Sequence, residues 1–394
     1  MKRIADPLAG RRDFDIVVLG GGPAGTGCAI GLARAGVREV LVAEAGRYED
    51  ERVGESVPPR FLPLLDELGV REDFLSEGHD PCHGSCSSWG DPHLGYNDFL
   101  FDPHGQGWHL DRRRFDAFLA RKAAEAGARI ALGTRFRGAR DDGGDGFRVE
   151  LAAEGRRPVE VGARFVVDAT GMRALFARGR GARRRFLDRL LCVYGFFELG
   201  ASEGVDALTL LEAVEPGWWY LARLPGGRLA VAAASDPEIV RAAGWHRLEG
   251  WLGALAATRH LAPRLAGCRY LEGSLRFAPA PTFRLDRVAG DRWLAAGDAA
   301  SAFDPISSQG IHKAISNGLA AAPAITARLA GDRGALDEYA AGVAARYTAF
   351  AENRDYFYGL EDRWPEAPFW RARRASGTTV AAALDRGDDE AYSR

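Results

Sequence analysis

The sequence predicts an α/β protein, with one half on a Rossmann-like sheet, a second half on a mixed or antiparallel sheet, and a helical carboxyl-terminal region. Three observations carry this. The apolar run Phe14–Leu19 leads into Gly20-Gly21-Gly22-Pro23-Ala24-Gly25, then a helical pattern to about Ala35 and a second apolar run, Val40–Ala43, that closes on Glu44. Two further buried-type runs, Arg164–Asp168 and Arg292–Ala296, each end in a small-residue turn, Ala169-Thr170-Gly171 and Gly297-Asp298. Between 190 and 235 the chain alternates with period two over Leu191–Glu198, Thr209–Ala213, Trp218–Leu224 and Arg228–Ala234, the pattern of antiparallel strands.

Strand, glycine turn, helix and a strand ending in an acid form the layout a dinucleotide needs. Gly20 permits the tight turn, Gly22 lets the backbone approach a pyrophosphate, and Gly25 lets the helix lie close on the strand. The helix start offers free N–H groups and a positive dipole end to phosphates, and Glu44 can accept from adenosine ribose hydroxyls. Residues 54–75 hold Gly54-Glu55-Ser56-Val57-Pro58-Pro59 and an amphipathic helix whose Phe61, Leu64, Leu65 and Leu68 share a face. Residues 76–110 read as short strands rich in Gly, Pro, His and aromatics. Asp111 then opens a helix through Ala126, stopped at Gly127. Strands follow at Arg129–Leu132, Phe147–Ala152 and Val159–Val167, and the arginine-rich run Arg178–Arg185 reads as a solvated face. A helix is expected near 245–258, a loop over Ala299–Gly310, and a long alanine-rich helix from about Gly310 to Leu329. The last stretch reads as helical, with a charged, frayed tail. The expected division is a discontinuous dinucleotide-binding domain at 13–53, 105–175 and 285–340, a substrate domain at 54–104 and 176–284, and a helical region at 341–394.

At 394 residues the chain can bury a large core. A formal charge of −2 gives no electrostatic footprint for nucleic acid or an acidic membrane. No apolar run approaches the roughly 20 residues of a membrane span, and the polar Met1–Arg12 lacks a secretory signal's apolar stretch. Five scattered cysteines fit a reducing cytoplasm, the expected location. Lysine occurs only at Lys2, Lys122 and Lys313. The segment His79-Asp80-Pro81-Cys82-His83-Gly84-Ser85-Cys86 has ligand-type residues but no second pair elsewhere, so no metal site is expected.

The glycine turn with Glu44, the Arg112 helix, Ala169-Thr170-Gly171 and Gly297-Asp298, in that order, resemble flavin-dependent monooxygenases of the p-hydroxybenzoate hydroxylase type over most of residues 13–340. A second layer resembles the tryptophan-halogenase-related branch: Gly54-Glu55-Ser56, Ser88-Trp89-Gly90, Gly107-Trp108-His109-Leu110-Asp111-Arg112, Gly217-Trp218-Trp219-Tyr220 and Asp304-Pro305-Ile306-Ser307-Ser308-Gln309-Gly310. That branch holds indole, pyrrole and phenol halogenases together with flavoproteins that hydroxylate tryptophan within a peptide during quinone-cofactor maturation. The resemblance implies FAD, held by Gly20, Gly22, Pro23, Ala24, Gly25, Glu44, Ala45, Arg47, Ser56, Arg112, Phe136, Thr170, Gly171, Gly297, Asp298, Pro305, Ser308, Gly310 and Ile311.

Two departures bear on chemistry. Halogenases of the branch place a lysine on the segment beyond the Gly-Glu-Ser element to relay hypohalous acid, and Gly84–Gly90 here has none. Pro305, Ser308 and Gly310 match the halogenase spacing, but Ala302 stands in the phenylalanine place and Phe303 is one residue off. The reading is therefore hydroxylation of an electron-rich aromatic ring by a C4a-hydroperoxyflavin, on a small molecule or a tryptophan residue of a peptide. Halogenation is the alternative and isoprenoid reduction a second one. Polar candidates for proton chemistry are Glu55, His109, Asp304 and His312, and Trp89, Trp108, Trp218 and Tyr220 are candidates to line the substrate pocket. With no second glycine fingerprint, electrons would come from a separate flavin reductase or from transient NAD(P)H.

Overall fold

The computed structural model describes residues 13–144, 146–200 and 206–376. The expected polar amino terminus and frayed tail lie outside these residues.

Two eight-stranded sheets organise the described residues. In the first, Asp13–Leu19 lies between Val40–Ala43 and Val159–Asp168, with Arg129–Ala131 and Trp293–Ala295 extending the parallel array on either side. Ile16, Val17, Val18, Leu41, Val42, Phe165, Val166 and Val167 have at most trace exposure, as strands covered on both faces require. The register sets Leu19 level with both Ala43 and Asp168, and Asp168 level with Ala295. Every turn flagged in the sequence, at Gly20, Glu44, Ala169 and Gly297, therefore emerges at one sheet edge, where ligands collect in open α/β sheets.

The helices Pro23–Arg34 and Gly310–Leu329 pack side by side over this edge. Gly318 permits the approach, since a Cβ there would stand 2.3 Å from the Ala24 carbonyl oxygen. Arg112–Glu125 is capped at its start by Asp111, whose carboxylate accepts from the Arg113 and Arg114 N–H groups. Phe61, Leu65 and Leu68 of the helix Phe61–Leu68 are buried, and Leu64 is partly so.

The second sheet pairs Leu191–Glu198, Arg228–Ser235, Gly217–Leu224 and Leu208–Val214 antiparallel, close to the expected bounds, then adds Gly84–Ser88 parallel to Leu208–Val214. The two-residue period sends Trp219 into an apolar core with Trp245 and Trp251, and turns Trp218 and Tyr220 to the opposite face. The arginine run is not wholly solvated: Arg184 is buried, its guanidinium over the Phe186 and Phe283 rings. The expected loop Ala299–Gly310 contains a short strand, Ser301–Ala302, and a 3-10 turn, Pro305–Ser307, and follows another such turn at Gly297–Ala299. Beyond it, the helices Ala335–Leu360 and Pro368–Ser376 close over the Trp218 face through Tyr358, Phe369 and Trp370.

Candidate active site

A groove of about 440 Å³ runs along the sheet edge, lined by Gly20, Gly22, Pro23, Glu44, Arg112, Thr170 and Asp298 among others. Gly20 sits at φ +109°, and a Cβ there would meet the Ala169 carbonyl oxygen at 2.1 Å, so the first turn admits no side chain. Gly22 has open space where a Cβ would stand. The backbone is thus bare at the helix start, where N–H groups without intrahelical acceptors face an anion. Glu44 accepts from the Gly21 and Gly46 N–H groups, 2.7 Å each, which fixes its carboxylate while leaving lone pairs for hydroxyls. Ala45, Phe136 and Gly171 also line the groove; Arg47 does not, and Arg52, 3.9 Å from Glu44, occupies that wall. Gly25 and Gly297 lie beneath the lining and set the spacing of its elements: a Cβ on Gly25 would meet the Gly20 carbonyl oxygen at 1.9 Å.

Thr170 is held by Asp168, which accepts from its hydroxyl at 2.7 Å and from its N–H at 3.0 Å. Asp168 is fully enclosed, and burial raises its pKa despite these donors. Arg112 forks onto Asp116 at 3.2 and 3.1 Å and donates to the carbonyls of Val53 and Gly54. It thereby ties the helix to the Gly-Glu-Ser segment.

The groove continues into an inner chamber of about 250 Å³, with Pro23, Arg112, Asp298 and Ala314 common to both linings. Its walls include Glu55, Ser56, Trp218, Tyr220, Pro305, Ser308, Gly310 and Ile311. An outer cleft of about 720 Å³ lies beyond, lined by Trp89, Phe99, Thr209, Phe350, Arg354 and Phe357 among others. Ser56 and Ser308 border both spaces, and Ser308 holds the left-handed backbone, φ +50°.

The structure sorts the sequence candidates. Glu55 faces the inner chamber, buried; desolvation raises its pKa against hydrogen bonds from Tyr220 and the backbone and the nearby charge of Arg112. His109 is fully buried outside both linings, its Nε2 3.0 Å from the Thr209 hydroxyl, and burial lowers its pKa to about 4. Asp304 also lies behind the lining: it accepts from the Ile306 N–H and the Tyr358 hydroxyl and lies 3.4 Å from Arg354. Its place is that of a buried cap. His312, half-buried on the Gly310–Leu329 helix, lies outside both linings. Trp218 and Tyr220 line the inner chamber and Trp89 the outer cleft. Trp108 instead packs edge-on against Phe74, away from both. His79, Cys82, His83 and Cys86 do not converge: the His79 ring stacks on Phe74, and the Cys82 thiol donates to the Gly84 carbonyl. Among the described residues no group of three or more His, Cys, Asp or Glu could hold a metal ion.

Of the residues expected to hold FAD, Glu44, Gly22 and Asp298 line the groove, and Pro305, Ser308, Gly310 and Ile311 line the inner chamber. Residues 13–193 match the family model of the FAD binding domain. The chain is 28% identical to the putative FAD-dependent oxidoreductase LodB of Marinomonas mediterranea, over 92% of this chain and 97% of that protein. The structure of the myxobacterial chondrochloren halogenase CndH superposes with a TM-score of 0.85 at 25% identity, covering 94% of this chain and 88% of CndH. Peptidyl tryptophan dihydroxylase QhpG superposes with a TM-score of 0.75 at 26% identity, covering 92% and 78%. Among named relatives halogenases are the more numerous kind. No helix among the described residues is long and apolar enough to cross a membrane. The chain is an FAD-dependent oxidoreductase with an FAD-binding domain.

Proposed function

We propose that this FAD-dependent oxidoreductase hydroxylates an electron-rich aromatic ring seated in the outer cleft, on a natural-product intermediate or a tryptophan side chain of a peptide. Bound FAD supplies an electrophilic oxygen atom from O2, with electrons from a separate flavin reductase or NAD(P)H. The protein's own residues hold the ring, exclude water and manage protons. Trp89, Phe99 and Phe357 offer the ring apolar surface, and Ser56 and Ser308 frame the opening toward the inner chamber.

The observation that carries oxygen transfer over halogen transfer is the disposition of lysines. Lys122 pairs with Asp73 and Glu125 on the surface, and Lys313 is buried between Asp298 and the Ser301 carbonyl. Lys2 lies outside the described residues. The two cavity linings contain arginines but no lysine, so the amine that relays hypohalous acid in halogenases has no counterpart among them. Halogenation is the second reading, favoured by the relatives' names and by the two-chamber layout, which suits a small oxidant passing between separated seats.

The deciding experiment supplies FAD-loaded protein with reduced flavin, O2, bromide and a tryptophan-containing peptide, followed by mass spectrometry. Gain of an oxygen atom is expected. Gain of bromine would replace the first reading by the second.

A further inference from the structure

We propose that Thr209, Ser56, Tyr220 and Glu55 form a one-way proton relay from the outer cleft to the inner chamber, with His109 fixing its direction. The relay rests on the reading that an aromatic ring is substituted in the outer cleft. It serves hydroxylation and halogenation alike, because both expel a ring proton.

Three contacts lead from His109 to Tyr220, which neighbours Glu55. His109 Nε2 lies 3.0 Å from Thr209 Oγ1, Thr209 Oγ1 lies 3.1 Å from Ser56 Oγ, and Ser56 Oγ lies 2.8 Å from the Tyr220 hydroxyl. The Tyr220 hydroxyl in turn lies beside the Glu55 carboxyl, where it favours the ionised acid, and both line the inner chamber. Thr209 and Ser56 face the outer cleft, whereas Ser56, Tyr220 and Glu55 face the inner chamber, so the chain crosses the wall between them.

Its polarity follows from what each group can do. A carboxylate only accepts, so with Glu55 ionised Tyr220 donates to it. Tyr220 then accepts from Ser56, Ser56 from Thr209, and Thr209 from an Nε2–H of His109. A neutral imidazole with its proton on Nε2 meets that need and leaves Nδ1 as an acceptor, and Nδ1 is buried without a partner. Every hydroxyl thus points the same way. Titratable or charged groups facing Glu55 are Arg112, Tyr220, Cys192 and Tyr194; Arg223 faces His109, and the Cys82 thiol lies 3.8 Å from Thr209.

In the transfer, Glu55 would first give its proton to the oxygen atom left on the bound cofactor after the oxidant departs, and so become a carboxylate. At the ring, the C–H bond breaks and its electron pair returns to the π system. The released proton joins a cleft-side hydroxyl, each hydroxyl passes one proton onward and receives one, and Tyr220 hands the last to Glu55, restoring the acid. Glu55 is the group placed to meet the cofactor; His109 is a positioning residue.

Infrared spectroscopy of the FAD-loaded protein tests this without turnover. The Glu55 carboxylic acid C=O band is assigned by its loss in Glu55→Gln, and its shift is timed after mixing into D2O. Thr209→Val and Tyr220→Phe, each retaining FAD, should slow the exchange by an order of magnitude or more, and Thr209→Ser should restore it. Exchange at the wild-type rate in both variants overturns the relay. If instead the wild-type enzyme modifies no tryptophan peptide, with or without bromide, the peptide form of the functional reading fails while the exchange rates still judge the relay.

Discussion

The Lys313 ammonium meets the Asp298 carboxylate at 2.5 Å, at the sheet edge where Asp298 lines both the groove and the inner chamber. The lysine is 3% exposed and the aspartate 45%. The Lys313 ammonium also donates to the Ser301 carbonyl and sits 4.7 Å from the Phe303 ring centre. A buried cation therefore orients an acid that is open to the groove.

Asp298→Ala should do two things at once. It strands the Lys313 ammonium, destabilising the apoprotein by about 1–3 kcal/mol, and it weakens FAD binding. A urea titration of the apoprotein and a flavin-fluorescence titration measure the two effects separately. An unchanged urea midpoint would show that the pair contributes nothing to the fold.

Gly20 and Gly22 should separate folding from cofactor binding. Gly22→Val fills open space in the protein and should leave the apoprotein's melting temperature within a degree or so, while weakening FAD on the order of tenfold or more. Gly20→Val collides with the Ala169 carbonyl at a positive φ and should lower the melting temperature itself. Equal melting losses in the two variants would contradict the assignment.

Glu55 sets a stability trend with alkaline sign. Its folded pKa is raised, first by burial, so its contribution is fully present below the ordinary carboxylate value of about 4.3. It is lost as pH rises through the raised value. Wild-type apoprotein should therefore lose stability relative to Glu55→Gln as pH climbs from 4 through neutrality. Parallel denaturation curves across that range would refute the shift.

Two histidines act in the opposite direction. Burial is the first cause lowering both His79 and His109 to about 4, so the stability of each neutral ring is present above the free value of about 6.5 and is lost as pH falls toward 4. The loss is roughly 3 kcal/mol for each at full protonation of the unfolded chain. His79→Gln/His109→Gln should flatten the acid limb of a urea-midpoint profile, starting from a less stable protein at pH 7. A limb of wild-type steepness would sink the claim.

Arg354 anchors the helix Ala335–Leu360 beside the site. It is 1% exposed and reaches Asp188 at 2.6 Å, Asp355 at 3.0 Å and Asp304 at 3.4 Å. Arg354→Met leaves Asp188 and Asp304 buried without their cation, at a cost of about 3–5 kcal/mol. Asp304→Asn/Arg354→Met should recover part of that loss, a coupling that a double-mutant cycle reads directly.

The groove was legible in the sequence because local chemistry dictates it. Asp111 before a helix, glycines where only a bare backbone fits, and small-residue turns at strand ends each report their own surroundings. What was not legible depends on partners far along the chain. Asp304 reads as an acid beside the flavin loop, yet Arg354 and Tyr358, fifty or more residues later, turn it into structure. Arg47 and Arg52 are equally plausible by spacing, and only the path after Glu44 places Arg52 on the wall. Period-two alternation separates Trp218 from Trp219 without saying which of them faces the site. Thr209, which carries no motif, gains meaning only when its strand registers beside Ser85.

Ser56 and Ser308, shared by both linings, set the inner chamber and the outer cleft side by side as two compartments. On the proposed reading, an oxidant generated in the inner chamber is lost to water unless a guest fills the outer cleft, so coupling efficiency becomes a matter of occupancy. A guest that plugs the outer compartment converts oxygen consumption into product, and an ill-fitting one lets it run to waste. Selectivity in such an arrangement is exercised by the stopper as much as by the chemistry, and it can be tuned at Ser56 and Ser308 without touching the cofactor's phosphate groove.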